Sequence, residues 1–160
     1  MTDPAALIVF IKNPELGKVK TRIAVSTGDL GALQIYLQLQ GITQKTCIQY
    51  SGPKYLFYSD FIDLEDSWDS KQFIKKLQSG NDLGLRMKHA FREIFQQHKK
   101  VIIIGSDCPY LKAKDIEQAN TLLDAHDCVI GPATDGGYYL MGLTSLHASL
   151  FHNKIWSSST

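Results

Sequence analysis

The sequence predicts an α/β fold, a three-layer α/β/α sandwich with a mostly parallel sheet, and three observations carry that expectation. The runs Ala5–Ile11 and Val101–Ile104 are unbroken apolar stretches, as expected of strands buried on both faces. Segments with helical periodicity alternate with such runs, the pattern of a sheet covered by helices. Polar loops containing Gly or Pro directly follow strands 5–11, 101–104 and 128–130, and in a parallel sheet those loops share the carboxyl edge, where open α/β sheets bind ligands.

The elements follow in order. Ala5–Ile11 is the first strand, and the polar stretch Lys12–Arg22 after it is broken by Pro14 and Gly17. From Asp29 to about Tyr50 the spacing of Leu30, Leu33, Leu37 and Ile42 predicts a helix with those residues inward, ended by Ser51-Gly-Pro53. Lys54–Tyr58 is a second strand, Asp60–Ser70 is acidic and irregular, and Gln72–Leu77 is a weaker strand. Asp82-Leu-Gly84 opens a helix whose apolar stripe is Met87, Phe91, Ile94 and Phe95. After strand Val101–Ile104 come the tight loop Gly105-Ser-Asp-Cys-Pro109 and a helix over Lys112–His126 with Ile116, Ala119 and Leu123 inward. Strand Cys128–Ile130, the loop Gly131–Gly137 and strand Tyr138–Leu143 complete the pattern, with no internal repeat and no linker.

A chain of 160 residues has the length of a single domain, 1–160. Lys and Arg total 17 against 16 Asp and Glu, a net charge of +1 that argues against a nucleic-acid binder. The apolar run near the N-terminus is too short to span a bilayer and lacks a basic flank, so neither a membrane span nor a signal peptide is expected. Cys47, Cys108 and Cys128 are odd in number and widely spaced, as expected of reduced thiols in a cytoplasmic protein.

Four segments could carry chemistry. Residues 12–22 hold Lys12, Lys18, Lys20 and Arg22 against one acid, Glu15. Cations around a flexible Gly17 suit a polyphosphate, although a solvated surface loop would read the same way. The loop is neither a Walker A nor a G-x-G-x-x-G motif. Asp107, at the end of a β-branched strand, suits Mg²⁺ or Mn²⁺, or else caps the following turn. Cys108 beside it has no nearby His to activate it as a nucleophile. Asp135-Gly-Gly137 offers a second carboxylate, with Gly136 and Gly137 where a nucleotide or sugar packs closely; Asp-Gly is equally a hairpin turn. Asp82 and Arg86 stand at a helix N-terminus that favours anions, where Asp82 is also a natural N-cap.

Taken in order, Lys12-x-Pro14-x-x-Gly17-x-x-Lys20-Thr21-Arg22, Gly80-x-Asp82-Leu83-Gly84-x-Arg86-Met87, Gly105-Ser-Asp-Cys-Pro109 and Gly131-Pro-Ala-x-Asp-Gly-Gly-Tyr-Tyr139 resemble the motifs of the bacterial glycosyltransferase-A-like family of nucleotide-diphospho-sugar transferases. The first and third motifs are also similar to those of phospholactate guanylyltransferase. The Gly-Gly and Arg-Met-Gly of the molybdenum-cofactor guanylyltransferases are absent. The resemblance implies a nucleotide-sandwich fold with a divalent metal on Asp107. The family's Asp-x-Asp is reduced here to one Asp followed by Pro109, which makes Asp135 the candidate second ligand. It also implies that the family continues beyond Leu150, so the domain is expected to lack its C-terminal end.

The expected function is metal-dependent transfer from a nucleotide donor to a small-molecule acceptor, with glycosyl transfer first. Nucleotidyl transfer releasing pyrophosphate and a non-catalytic nucleotide-binding module are the alternatives. Asp107, Lys20 and Arg22 are the expected catalytic residues, Lys12, Gly17, Asp82, Arg86, Gly136 and Gly137 the substrate-binding ones, and Asp107 and Asp135 the metal ligands. A homodimer is the assembly left open.

Overall fold

Val9 and Ile104 are Cα partners in the middle of the sheet, and the apolar runs that hold them explain why this part of the chain is fully buried. The computed structural model of the protein describes residues 3–134 and 136–151. Six strands form one sheet: β1 (Ala6–Ile11), β2 (Lys54–Tyr58), β3 (Ile74–Leu77), β4 (Val101–Gly105), β5 (Cys128–Pro132) and β6 (Tyr138–Leu143). Among the described residues three α-helices accompany them: α1 (Thr21–Gln49), α2 (Leu83–Ile94) and α3 (Ala113–Leu122).

The strand order is β3-β2-β1-β4-β6-β5. Pairs β1–β2, β1–β4 and β2–β3 are parallel, whereas β6 runs antiparallel to both β4 and β5. The mostly parallel sheet therefore stands, and β5, two reversals from β4, points the same way as β1 and β4. All three polar loops singled out above consequently begin on one edge.

Strand alternation distributes the core to both faces. Leu7, Val9 and Ile11 of β1 face Cys47 of α1 and Ile116 and Ala119 of α3, whereas Ala6 and Ile8 face Met87, Ala90, Phe91 and Ile94 of α2. That makes three layers, with α1 and α3 on one side and α2 on the other. The α2 stripe and the inward set Ile116, Ala119 and Leu123 are buried as the spacing predicts, with Phe95 half-buried at the end of its stripe.

Helix α1 departs from expectation twice. It begins at Thr21 rather than Asp29, because residues 21–27 form a helical segment of their own, set off at Gly28 by φ 77° and ψ 166°. Its inward stripe is Ala32, Tyr36, Gln40, Thr43 and Cys47, while Leu30, Leu37 and Ile42 are exposed and Leu33 is half-buried. The physical reason is polar work at the middle of the buried stripe and close packing on either side of it. Small residues approach the sheet, and Tyr36 and Gln40 reach the main chain of Lys12, with Lys12 N–H donating to Tyr36 Oη at 2.8 Å and Gln40 Nε2 donating to Lys12 O at 3.2 Å.

The acidic connection between β2 and β3 is held by a buried ion pair. Lys75 Nζ bonds Asp66 Oδ1 at 2.8 Å and Asp63 O at 2.7 Å, and the Tyr58 hydroxyl donates to Asp66 Oδ2 at 2.6 Å. Trp68, packed edge-on against Phe73 with centroids 4.9 Å apart, seals the connection onto the core. Among the described residues, no helix is long and apolar enough to cross a membrane.

Candidate active site

The chain leaves β1 toward β2 on one side and reaches β4 on the other, so the carboxyl ends of β1 and β4 flank a topological switch point. In open α/β sheets that divergence leaves a crevice for a ligand. A cleft of about 550 Å³ lies there, with Lys12, Lys20, Tyr36, Ser59, Gln78, Asp82, Arg86, Ser106 and Asp107 on its walls. A larger hollow of about 970 Å³ sits at the opposite edge, by Lys100 and Leu123. Its buried cation is already bound, Lys100 Nζ lying 2.8 Å from Asp124 Oδ1, and none of the four motif segments lines it.

Two loops meet across the cleft. Lys20 closes the loop after β1 in the left-handed conformation (φ 49°), and its ammonium lies 3.0 Å from Asp107 Oδ2 on the loop after β4. The Lys20 side chain is 24% exposed and that of Asp107 57%, so the pair is open to an incoming ligand. An exposed pair of this kind contributes little to stability, roughly 0–1 kcal/mol.

Asn13 ties the β1 loop to the segment after β2. Its Oδ1 accepts from Asp60 N–H at 2.9 Å and Phe61 N–H at 3.1 Å, and its Nδ2 donates to Phe61 O at 2.9 Å. Gln78, just past β3, donates from Nε2 to Phe57 O at 2.9 Å and Ile11 O at 3.2 Å, spanning the ends of β2 and β1. Arg86 in turn donates from Nη1 to Ser59 O and from Nε to Gly80 O, both at 3.1 Å. These bonds fix the cleft walls without spending Lys12 or Lys20 on them.

The expected site residues are distributed as follows. Lys12, Lys20, Asp82, Arg86 and Asp107 line the cleft together. Asp82 is also the N-cap of α2, its Oδ1 accepting from Leu85 N–H at 2.8 Å. Arg86 serves as a brace for the loops around it. Arg22, exposed on the first turn of α1, is not among the lining residues, and neither is Gly17, where an added Cβ would lie 3.5 Å from the Asp29 carboxylate. Gly136 and Gly137 lie in the β5–β6 hairpin, closed by Ala133 N–H donating to Gly137 O at 2.9 Å, and are likewise absent from the walls. Asp135 lies outside the described residues. Among the described residues there is no group of three or more His, Cys, Asp or Glu arranged around a common metal position. Tyr36, Ser59, Gln78, Asn81 and Ser106 line the cleft without a role assigned from sequence, and Asn13 braces its wall from outside the lining. The Asn-Pro pair at Asn13 is the one local signal of a structured turn.

With that geometry in place, the comparisons with known proteins are specific. A family model described as "Uncharacterized protein conserved in bacteria (DUF2064)" matches residues 39–158. A 2-phospho-L-lactate guanylyltransferase of Methanocaldococcus jannaschii is 35% identical over 86 residues, 54% of this chain and 37% of that protein. The match thus spans little more than a third of that relative's length. Among solved structures, a "putative nucleotide-diphospho-sugar transferase" from Desulfovibrio desulfuricans G20 superposes with a TM-score of 0.88 and 30% identity, covering 98% of this chain and 71% of that one. A cytidylyltransferase from Leptospira borgpetersenii, at 14% identity and a TM-score of 0.54 over 94% of this chain and 63% of that one, is alike in fold alone.

Proposed function

This chain belongs to the bacterial DUF2064 family, and from that premise we propose that it is a transferase that takes a nucleotide donor into the cleft between β1 and β4. The observation that carries the reading is the Lys20–Asp107 pair, a cation and a carboxylate facing each other across the switch point at 3.0 Å. The names of the Methanocaldococcus and Desulfovibrio relatives, both nucleotide-using transferases, support it.

A metal would be held at Asp107. One exposed carboxylate does not make a protein cage, but it suits Mg²⁺ or Mn²⁺, which keep several waters and bind through one or two carboxylates plus substrate phosphates. When bound, such an ion supplies charge neutralisation on the donor phosphates. The chain's own residues do the rest. Lys12 and Lys20 offset phosphate charge, and the Asn13, Gln78 and Arg86 braces hold the walls so that little reorganisation is needed when charge moves to the leaving group. Lys20 exchanges its carboxylate partner for a phosphate oxygen, which frees Asp107 for the ion.

Two donor bonds could be broken in this site. In nucleotidyl transfer, an acceptor oxygen attacks the α-phosphorus of a nucleoside triphosphate, the bond to the bridging oxygen breaks, and pyrophosphate leaves with that electron pair. In glycosyl transfer, the acceptor attacks the anomeric carbon and a nucleoside diphosphate leaves. The guanylyltransferase relative favours the first and the Desulfovibrio relative the second. A panel of nucleoside triphosphates and nucleotide sugars, each with Mn²⁺ and pooled small-molecule acceptors, separates them: pyrophosphate release marks the first, nucleoside diphosphate release the second. Binding of a donor with neither product would instead make the chain a nucleotide-binding module.

A further inference from the structure

Tyr36 and Ser106 face each other in the cleft with their hydroxyl oxygens 3.0 Å apart, and the chemistry described so far leaves both without a role. Each is 5% exposed, and each lines the cleft. Two hydroxyl hydrogens share this single contact, so one of them goes to the other oxygen and one is left over. The Tyr36 oxygen already accepts the Lys12 N–H at 2.8 Å, and among the described residues Ser106 Oγ is the acceptor within reach of its phenolic hydrogen. Either hydroxyl can donate across this contact, and the phenol, the more acidic of the two and already an acceptor from Lys12 N–H, is the favoured donor to Ser106. The Ser106 hydrogen then has no acceptor among the described residues, although the group is buried and borders the cleft. A buried donor of this kind is normally satisfied, so the free hydrogen points to a partner that arrives with a ligand.

We propose that Ser106 is a donor-binding residue whose hydroxyl hydrogen goes to a phosphate oxygen of the nucleotide, and that Tyr36 is the positioning residue that orients it. The proposal rests on the reading of the cleft as a nucleotide site. Its ligand atom is a phosphate oxygen because Ser106 immediately precedes Asp107 and shares the cleft with Lys12 and Lys20. An anionic oxygen accepts only, and it complements a lone donor better than a group with a hydrogen of its own. The chain of bonds from Lys12 N–H through Tyr36 to Ser106 also polarises the last hydroxyl, since a phenol that accepts a bond donates a stronger one.

The test is calorimetric titration of GTP, CTP, ATP and UTP with Mg²⁺ into the wild-type chain, then of the best binder and its parent nucleoside into variants. Ser106→Ala, which removes one buried oxygen, is expected to weaken the triphosphate about ten-fold and leave the nucleoside unchanged, as for a lost bond to a charged group. Tyr36→Phe is expected to weaken it by a smaller factor, and the double variant to bind no worse than Ser106→Ala alone. Thermal melting separates the roles, because Tyr36→Phe also orphans the Lys12 N–H and lowers Tm in either background. The proposal is overturned if Ser106→Ala binds the triphosphate as the wild type does, if it weakens the nucleoside equally, or if the two losses in affinity add. If the wild-type chain binds none of the four triphosphates and none of the corresponding nucleoside-diphosphate sugars, with Mn²⁺ as with Mg²⁺, the nucleotide reading itself fails and this proposal falls with it.

Discussion

Lys75 and Lys20 each pair with an aspartate, and the difference in burial decides what each pair does. The Lys75 side chain is 3% exposed, and it satisfies both Asp66 and the Asp63 carbonyl. Replacing it by Met leaves Asp66 and the Asp63 carbonyl without their cation, which should cost about 3 kcal/mol in urea unfolding, as for other broken buried pairs. An unchanged midpoint would show that the ion pair does not hold the acidic connection. The thiols divide in the same way. Burial pushes the Cys47 thiol up to about 12, whereas Cys128 is exposed on the outermost strand. A disulfide reagent at pH 8 should therefore label Cys128 in the folded protein and Cys47 only after unfolding; rapid labelling of both would contradict the burial of α1 against the sheet. At this scale, charge was the legible part of the site. Lys20 and Asp107 stand out in the sequence because a basic loop and a strand-end carboxylate are unusual neighbours for apolar runs. Tyr36, Asn13 and Gln78 do not, since a polar residue that bonds the main chain from a distance looks the same in sequence as one that faces water.

Strand elements were readable almost to the residue, because β1, β4 and β6 are apolar runs cut off by Gly, Pro or charge. Helix α1 was not, because its buried stripe is built from Ala32, Tyr36, Gln40, Thr43 and Cys47, while Leu30 and Leu37 are exposed. Its break at Gly28 gives a sharp test. Gly→Ala inside a straight exposed helix ordinarily gains about 1 kcal/mol. At φ 77° and ψ 166°, a region open essentially to Gly alone, the same change should instead cost roughly 1–3 kcal/mol, even though a Cβ there would meet nothing within 4 Å. Gly28→Ala is thus expected to lower Tm, and a rise would mean that α1 runs straight. The turn from α1 into β2 depends on glycine for a different reason. A Cβ at Gly52 would lie 2.6 Å from the Ala5 carbonyl oxygen, which already accepts the Tyr50 hydroxyl at 2.7 Å. Gly52→Ala should therefore unfold at lower urea than Gly28→Ala, and equal midpoints would contradict so tight an approach.

Taken as a whole, the molecule is a sheet with an apolar core on each face and its polar loops gathered on one edge, and the core carries a pH signature. Desolvation raises Tyr50, Tyr58 and Tyr138, the last to about 12, and Tyr58 is raised further by its bond to Asp66. Each of these groups, like Cys47, is held neutral in the fold and loses its proton at lower pH when unfolded. The stability they confer is complete below about pH 9 and is lost as pH rises toward 12. Urea midpoints should fall steeply between pH 9 and pH 11, and a flat profile would count against burial of these hydroxyls. The parallel core and the shared loop edge were legible from the alternation of strands and helices. The place of β6 between β4 and β5 was not, because a turn such as Asp135-Gly-Gly137 signals a reversal without saying which strand the returning one will join. That insertion leaves the β1 and β4 loops as the pair that faces across the switch point. The most direct test is titration of a nucleoside triphosphate with Mn²⁺ into wild-type and Asp107→Asn protein. The expected result is a loss of at least about ten-fold in metal-dependent affinity with Tm nearly unchanged, since the pair that is lost is an exposed one. Equal metal-dependent binding by both proteins would contradict the assignment of this cleft.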